Sequence, residues 1–332
     1  MAQITALMTS YNGAKYIRET IDSVLAQTFR DFVFLIVDDG STDETVSVIK
    51  SYKDDRIKLH ISKENRGVGY QLKEATKYIE TPYIVKIDSD DISKIDRFEK
   101  QYKYMKENPD IDISKCYFSY FADDKLVENS SRFKEYKNTK EKEHNSIDSS
   151  DLIHANLPRW LCVCHTTYFA KTSTIKEVGY TDSRYAEDYS LFYRALMSGY
   201  KFDCLKENLV KMRVHNSSAT THQNTSDLYT KTVLEFKKSA IEKLARNHKE
   251  LLIYGTGGLG KAAEKWLVEN GYKFAGFLDR NPSDLMDKHS VKSIYSNNKK
   301  GILICAQPVR FEIKNILENQ AMIEWEDFMI VA

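Results

Sequence analysis

Acidic residues stand together at two places in this 332-residue sequence where they could do chemistry. Asp88-Ser89-Asp90-Asp91 directly follows an apolar run, Tyr83 to Ile87, and Glu187-Asp188 precedes a stretch with helical spacing of its apolar residues. Carboxylates this close repel each other unless a cation lies among them. Oxygen ligands favour Mg²⁺ or Mn²⁺, and Mg²⁺ is commonly held by carboxylates together with substrate phosphates. The first cluster therefore predicts a divalent-ion site formed by Asp88, Asp90 and Asp91; the alternative is a solvated acidic turn before a helix.

Glu187-Asp188 allows two interpretations. A carboxylate directly before a helix is often a plain N-terminal cap. A carboxylate at a ligand-binding edge could instead accept a proton as a general base. The sequence around the pair leaves both open.

The elements that would position these groups repeat one pattern over the first ninety residues. Apolar runs of about five residues alternate with apolar residues at helical spacing, such as Ile17, Ile21 and Val24. Strands that alternate with helices predict right-handed crossovers and a mostly parallel sheet with helices on both faces. Ligands of such sheets bind beyond the carboxyl ends of the strands. The polar residues that follow each strand are therefore the candidate binding residues.

A second strand-turn-helix unit begins near residue 249. Gly255-Thr256-Gly257-Gly258-Leu259-Gly260 follows an apolar run, and Asp279 ends the next one, which matches the dinucleotide-binding fingerprint. The 84 residues left are too few for a full six-stranded dinucleotide fold. A glycine turn that packs a helix on a sheet in a structural or dimerising domain explains the motif as well. We predict three parts: residues 1–220, a helical linker at 221–248, and a Rossmann-like domain at 249–332.

Five motifs in the first part resemble the family 2 glycosyltransferases, which are inverting enzymes of the GT-A fold. Thr9-Ser10-Tyr11-Asn12 and Val37-Asp38-Asp39-Gly40-Ser41 are similar to that family's first two strand ends. The other three motifs are Asp88-Ser89-Asp90-Asp91 with the helix from Arg97, Tyr185-Ala186-Glu187-Asp188, and Arg213-Val214-His215. The resemblance spans about residues 1 to 220 and implies an α/β GT-A fold and a hexosyltransferase-type enzyme.

The resemblance also implies roles for individual residues. A UDP-sugar donor would contact nine residues along the strand ends, and His215 would join Asp88, Asp90 and Asp91 around Mn²⁺ or Mg²⁺. Asp188 would be the general base, and Glu187 would orient the acceptor. The second domain resembles a small Rossmann-like domain found beside bacterial sugar-modifying enzymes. Its candidate nucleotide site comprises Gly255, Gly257, Gly260 and Asp279. The nine donor-binding candidates are Thr9, Tyr11, Asn12, Asp38, Asp39, Arg66, Asp88, Ser89 and Asp90.

The composition of the chain limits the classes of molecule that it could bind. The 49 Lys and Arg balance 48 Asp and Glu, a formal charge of +1, which argues against a nucleic-acid binder. Five scattered cysteines and the absence of a signal or spanning segment predict a cytoplasmic protein with free thiols. The acceptor would be a bacterial surface glycan or a lipid-linked glycan. Peripheral association with the inner face of the membrane and homo-oligomerisation stay open.

Two other functions remain at this point. One is an NAD-dependent oxidoreductase that acts on nucleotide sugars, with the glycine motif as its cofactor site. The other is a sensor that binds a nucleotide sugar without turnover.

Overall fold

A computed structural model describes residues 2–216, 225–279, 288–290 and 300–331. The chain divides into two compact units, Met1–Thr221 and His222–Ala332. Each unit has its own sheet and its own core, and we describe them separately.

The first unit is built on an eight-stranded sheet with the strand order β3-β2-β1-β4-β7-β6-β8-β5. Strands β3, β2, β1 and β4 are parallel, whereas β7 runs antiparallel to β4 and β6, and β5 runs antiparallel to β8. The predicted mostly parallel α/β sheet is therefore confirmed. The strands are β1 (Ile4–Ser10), β2 (Phe32–Asp38), β3 (Ile57–Ile61), β4 (Tyr83–Asp88), β5 (Ile92–Ser93), β6 (Ile113–Ala122), β7 (Phe169–Lys171) and β8 (Phe202–Val214).

Helices cover both faces of this sheet and bury the apolar stripes read from the sequence. Ile17, Ile21 and Val24 of α1 are fully buried, because residues at this spacing lie on one face of a helix. They pack with Phe34 and Ile36 of β2 in the main core of the unit. The helices are α1 (Ile17–Leu25), α2 (Thr45–Lys50), α3 (Val68–Thr76), α4 (Arg97–Glu107), α5 (Lys125–Asn129), α6 (Ser131–Glu135), α7 (Glu141–Ser146), α8 (Ser150–Asn156), α9 (Thr172–Val178) and α10 (Glu187–Met197).

The register of the central strands brings the predicted motifs to one edge. Thr9 of β1 lies opposite Val37 of β2 on one side and opposite Asp88 of β4 on the other. Because these three strands are parallel, the residues that follow them emerge at the same end of the sheet. The edge therefore collects the first two strand-end motifs and the aspartate cluster.

The low apolar content of the charged stretch from Arg132 to Ser150 predicts a loop, but the structure is largely helical there. Short helices follow one another there, with a π-helical turn between α6 and α7. The side chains of Asp124, Ser130 and Ser149 each accept the backbone N–H three residues on and so cap three of these helices. Low apolar content obscured helices that begin at ordinary capping residues.

The second unit holds a five-stranded sheet in the order β11-β10-β9-β12-β13, with every strand pair parallel. The structure adds the short strand β11, which the sequence did not suggest. It also splits the stretch before Lys249 into two helices and places both in this unit, where the Trp266 indole donates to Glu235 at 2.7 Å. The strands are β9 (Leu251–Tyr254), β10 (Phe274–Asp279), β11 (Lys288–Ser290), β12 (Gly301–Ile304) and β13 (Phe328–Ile330). The helices are α11 (Thr225–Phe236), α12 (Lys238–Asn247), α13 (Gly258–Glu269) and α14 (Arg310–Glu318).

The apolar stretch around Cys162 and Cys164 predicts a strand, but both cysteines lie in an irregular segment before β7. All five cysteines are free thiols, as expected. Within the described parts of the chain, we find no helix long and apolar enough to cross a lipid bilayer.

Candidate active site

The loops after β1 and β2 are tied to each other. The Asn12 side chain accepts the Thr42 N–H at 2.8 Å, and its own N–H donates to the Ser41 hydroxyl at 2.9 Å. Asn12 adopts a left-handed backbone conformation with φ of 50°. These bonds fix the turn from which Tyr11, 48% exposed, projects, while Thr9 is half-buried in β1. An exposed aromatic ring on a rigid turn can pack against a nucleotide base.

Asp38 and Asp39 have different partners within the protein. Asp38 is fully buried and accepts the Ser41 N–H at 2.9 Å and the Ser41 hydroxyl at 2.5 Å, so it closes its own turn. It does not cap α2; Asp43 instead accepts the Thr45 N–H at 3.0 Å. Asp38 is therefore placed to shape the edge and not to project from it.

Asp39 holds the loop that follows β3. Its carboxylate accepts the backbone N–H groups of Arg66 at 2.9 Å and Gly67 at 2.8 Å, and the Gln71 amide at 2.5 Å. A carboxylate offers about four lone-pair positions, so about one remains for a ligand. The hydrogen bonds to Asp39 fix the backbone at Arg66, which is exposed. The Arg66 guanidinium lies 3.5 Å from the centre of the Tyr70 ring.

The three aspartates after β4 point in three directions. Asp88 pairs at 2.5 Å with Lys86, which is 1% exposed and also donates to the Ile87 carbonyl. Burial opposes ionisation of Asp88, but the Lys86 ammonium outweighs it and holds the Asp88 pKa below its usual value. Asp91 is buried and accepts the Arg213 N–H at 2.9 Å. Burial, followed by the charges of Asp90 and Asp88, raises the Asp91 pKa well above its usual value. Ser89 lies between them, and its carbonyl accepts the Thr20 hydroxyl at 3.0 Å.

Asp90 meets His215. The Asp90 Oδ2 and the His215 Nε2 are 2.8 Å apart, and Arg213 Nε donates to the Asp90 carbonyl at 3.0 Å. Two neighbouring ligands of an octahedral Mg²⁺ lie about 3.0 Å apart, from bond lengths near 2.1 Å. A hydrogen bond joins the two side chains at this distance, and the same pair could supply two ligands to a divalent ion. Asp88 and Asp91 face other partners, and nowhere in the described ranges do three His, Cys, Asp or Glu side chains gather around one position suited to a metal.

Glu187 and Asp188 open α10 from a strained turn. Ala186, the residue before them, has φ of 54°, and no side chain caps this helix. Asp188 is half-buried and accepts the adjacent Tyr189 N–H at 2.7 Å. Burial, with the nearby Asp88 charge, raises the Asp188 pKa to about 6. The interaction with Asp88 brings the two acidic motifs into one site, and the pKa suits a base that works near neutral pH.

A buried chain of hydrogen bonds stands behind Glu187. His165 Nδ1 lies 3.7 Å from the Glu187 carboxylate, and His165 Nε2 is 2.9 Å from the Tyr180 hydroxyl, which is 2.8 Å from that of Tyr168. Burial and the Lys86 charge lower the His165 pKa to about 3, so this imidazole is neutral at physiological pH. Burial and the Asp188 charge raise the Glu187 pKa well above its usual value. The raised pKa favours the protonated form of Glu187, which can donate a hydrogen bond.

Three positively charged residues organise the site although their roles were not predicted. Lys86 neutralises Asp88, and Arg213 joins β8 to the aspartate cluster. Arg97 is fully buried and donates to the carbonyls of Lys86 and Thr166 at 3.1 and 2.7 Å. A lysine within the otherwise apolar β4 was the available signal in the sequence, because a buried lysine needs a partner.

The second predicted site lies in the second unit. Gly255 and Gly257 lie in the turn between β9 and α13, and Gly260 lies in the first turn of α13. Asp279 is the last residue of β10, and its side chain lies outside the described part of the structure.

The chain is similar in sequence to known glycosyltransferases. A sequence model described as Glycosyl transferase family 2 matches residues 5–170. An uncharacterized glycosyltransferase of Methanocaldococcus jannaschii is 33% identical over 218 residues, which are 64% of this chain and 71% of that protein. The Escherichia coli O-antigen biosynthesis glycosyltransferase WbnJ is 31% identical over 221 residues, 65% of this chain and 81% of that protein.

Two solved structures share the fold. TarS 1-349 of Staphylococcus aureus in complex with UDP-GlcNAc superposes with a TM-score of 0.56 at 19% identity, over 74% of this chain and 67% of that one. The Pyrobaculum calidifontis mannosyltransferase PcManGT, in complex with GDP-Man and Mn²⁺, gives 0.53 at 17% identity, over 72% and 64%. The predicted GT-A architecture is thereby confirmed. Together, the matching sequence model, the two relatives and the site geometry show that the chain is a hexosyltransferase-type enzyme that belongs to glycosyl transferase family 2.

Proposed function

We propose that the first unit transfers a sugar, with inversion, from a UDP-sugar to a hydroxyl of a bacterial surface glycan. The observation that carries this proposal is the meeting of two groups at one sheet edge. One is the Asp90–His215 pair, which fits a divalent ion, and the other is Asp188, a carboxylate whose pKa is raised to about 6. A transferase that releases a diphosphate needs both, since charge develops on the leaving group while the acceptor loses a proton.

The donor would lie along the ends of β1, β2 and β4. Tyr11 would pack against the base, and the one position left on Asp39 could accept the uracil imide N–H. A UDP-sugar as the donor is supported by the S. aureus TarS structure, which is a complex of the same fold with UDP-GlcNAc. Thr9, Asn12, Asp38 and Ser89 would shape the surrounding edge.

Asp188 would accept the proton of the acceptor hydroxyl as its oxygen attacks the anomeric carbon. The bond from that carbon to the diphosphate breaks on the opposite face, so the configuration inverts and no covalent enzyme intermediate forms. Protonated Glu187 would donate a hydrogen bond that orients the acceptor. Asp90 and His215 would hold Mn²⁺ or Mg²⁺, which neutralises charge on the departing diphosphate. Lys86 would keep Asp88 ionised beside them.

The acceptor proposal draws on relatives. WbnJ is named for O-antigen biosynthesis, and it is 31% identical to this chain over 221 residues. Membership of the family favours this function over an oxidoreductase that acts on nucleotide sugars. A sensor without turnover would lack a base near the donor, whereas Asp188 interacts with Asp88 of the donor edge.

The test is release of the nucleoside diphosphate. The protein would be incubated with Mn²⁺, a glycan acceptor extract and a panel of UDP- and GDP-sugars. We expect acceptor-dependent release of UDP from one donor and its loss in excess chelator. Release of GDP alone would refute the UDP assignment, and activity that survives chelation would refute the ion. No release with any donor would contradict the transferase proposal.

A further inference from the structure

The second unit contains a cavity that the transfer reaction does not use. Its volume is 440 Å³, and it lies between the loop that follows β9 and the loop that follows β12. The first loop contributes Gly255 to Leu259, and the second contributes Cys305 to Val309. Cavities of about 300 to 1,000 Å³ are the size that holds small ligands and cofactors.

The strand order explains why a cavity forms here. From β9 the chain passes through α13 to β10 on one side, whereas β12 pairs with β9 on its other side. The connections that leave β9 and β12 therefore run in opposite directions and open a crevice. In parallel sheets, this switch point beyond the carboxyl ends of the strands is where ligands bind.

Packing within the protein requires two of the three glycines of the predicted nucleotide site, Gly255 and Gly260. Gly255 has φ of 108°, and a Cβ there would lie 3.1 Å from the Cβ of Ala306. A Cβ on Gly260 would lie 1.9 Å from the Gly255 carbonyl oxygen. A Cβ on Gly257, in contrast, would meet nothing within 4 Å. Packing does not demand a glycine at 257, yet a side chain there would occupy space at the cavity.

The lining indicates the chemistry of the occupant. Among the described residues that line the cavity none is charged, so a bound group would meet no acidic side chain. Gly257 is the N-cap of the 12-residue helix α13, and it offers no side chain to the first N–H groups. Those N–H groups and the helix dipole favour an anion. Leu259, Pro308 and Val309 supply apolar walls against which a flat base can pack.

We propose that this cavity is a binding site for the diphosphate of a nucleotide, with the diphosphate at Gly257 and the nucleoside between the two loops. Nucleotide sugars, free nucleoside diphosphates and dinucleotides share this chemistry. The proposal does not depend on the reaction proposed for the first unit. The described residues of the lining offer no carboxylate to a metal, so the proposal assigns no divalent ion to this site.

The test uses the full chain in chelator, titrated calorimetrically with UDP, UDP-GlcNAc and NAD⁺ in separate experiments. We expect saturable binding of at least one probe. Gly257→Val should weaken it by about tenfold or more, equivalent to about 1.4 kcal/mol. Lys265→Val places the same side chain at an exposed position of α13. Its dissociation constant for the probe should stay within about twofold of the native value. The probe that binds distinguishes a nucleotide sugar from a free diphosphate or a dinucleotide.

Hydrogen exchange of the native chain locates the site without relying on a variant. The bound probe should slow exchange in residues 255–260 and 305–309. Absence of saturable binding by all three probes up to about 1 mM would overturn the proposal. So would protection confined to the first unit, or binding that a folded Gly257→Val protein retains unchanged.

Discussion

Replacement of Asp188 by Asn tests the proposed base most directly. Asn keeps the size of the side chain and can still accept the Tyr189 N–H, but it cannot take a proton from the acceptor. We expect kcat to fall by about 10²- to 10⁴-fold, the usual contribution of general acid–base catalysis. The dissociation constant for UDP in the presence of Mn²⁺ should stay within about twofold, because the proposal gives Asp188 a contact with the acceptor and none with UDP.

The pH dependence of kcat in the native enzyme tests the role of Asp188 independently of any variant. Burial raises the Asp188 pKa to about 6, so the group loses its proton as the pH rises through that value. The carboxylate fraction is then about 0.09 at pH 5 and about 0.9 at pH 7. We therefore expect kcat to rise about tenfold between these pH values and to level off above pH 7.

Glu187→Gln is the matched control, because it changes the neighbouring carboxyl at the same helix terminus. Burial and the Asp188 charge raise the Glu187 pKa and so favour its neutral form, and Gln resembles a neutral carboxylic acid in shape and hydrogen bonding. This variant should lose less than about tenfold in kcat and keep the midpoint near pH 6. Steady-state release of UDP measures all three proteins. A native profile that is flat from pH 5 to 7, or near-normal turnover by Asp188→Asn, would refute the assignment.

Three other predictions address the ion, the donor edge and the strained turn. Asp90→Ala and His215→Ala should each weaken Mn²⁺ binding by at least about tenfold, as measured from the electron paramagnetic resonance signal of the free ion; unchanged binding would contradict the proposed ligand pair. Asp39→Ala should lower the free energy of unfolding in urea by about 3 kcal/mol, because it leaves three hydrogen-bond donors without their acceptor. A loss below about 0.5 kcal/mol would show that water replaces the carboxylate at little cost. Ala186→Gly should raise the free energy of unfolding by up to about 1 kcal/mol, because glycine adopts the left-handed conformation of residue 186 without strain. Ala195→Gly, inside α10, should lower the free energy of unfolding by about 1 kcal/mol. A change of the same sign in both variants would refute strain at Ala186.

The sequence predicts the elements of the donor edge because their signals are local. Apolar runs mark β1, β2 and β4, and parallel pairing then forces their polar ends to one edge. The partner of each carboxylate is not local. Asp90 meets His215 and Asp91 meets Arg213 across 125 and 122 positions of the chain, and no periodicity encodes such contacts. Asp39 likewise accepts hydrogen bonds from residues 27 to 32 positions away, so these bonds could not be predicted from the sequence.

Two other differences have physical causes of the same kind. The helices between Asp124 and Asn156 carry few apolar residues, so capping side chains mark their beginnings and no amphipathic stripe does. Strand β11 has three residues, too short for an alternating pattern to register, and it exists because β10 offers it an edge. In both cases tertiary contacts decide a structure that local preference leaves open.

The separation of Asp90 from His215 also orders events during protein synthesis. A ribosome adds about 5 to 20 residues per second, so His215 emerges about 6 to 25 s after Asp90. During that interval β1 to β4 can assemble, while Asp91 still awaits the backbone N–H of Arg213 and the aspartate cluster has no imidazole beside it. If the first strands pair before the rest of the unit emerges, the donor edge forms before the proposed ion site is complete. Arrival of β8 would then add the strand between β6 and β5 and bring His215 to Asp90. Affinity for the ion would therefore report that β8 has joined the sheet.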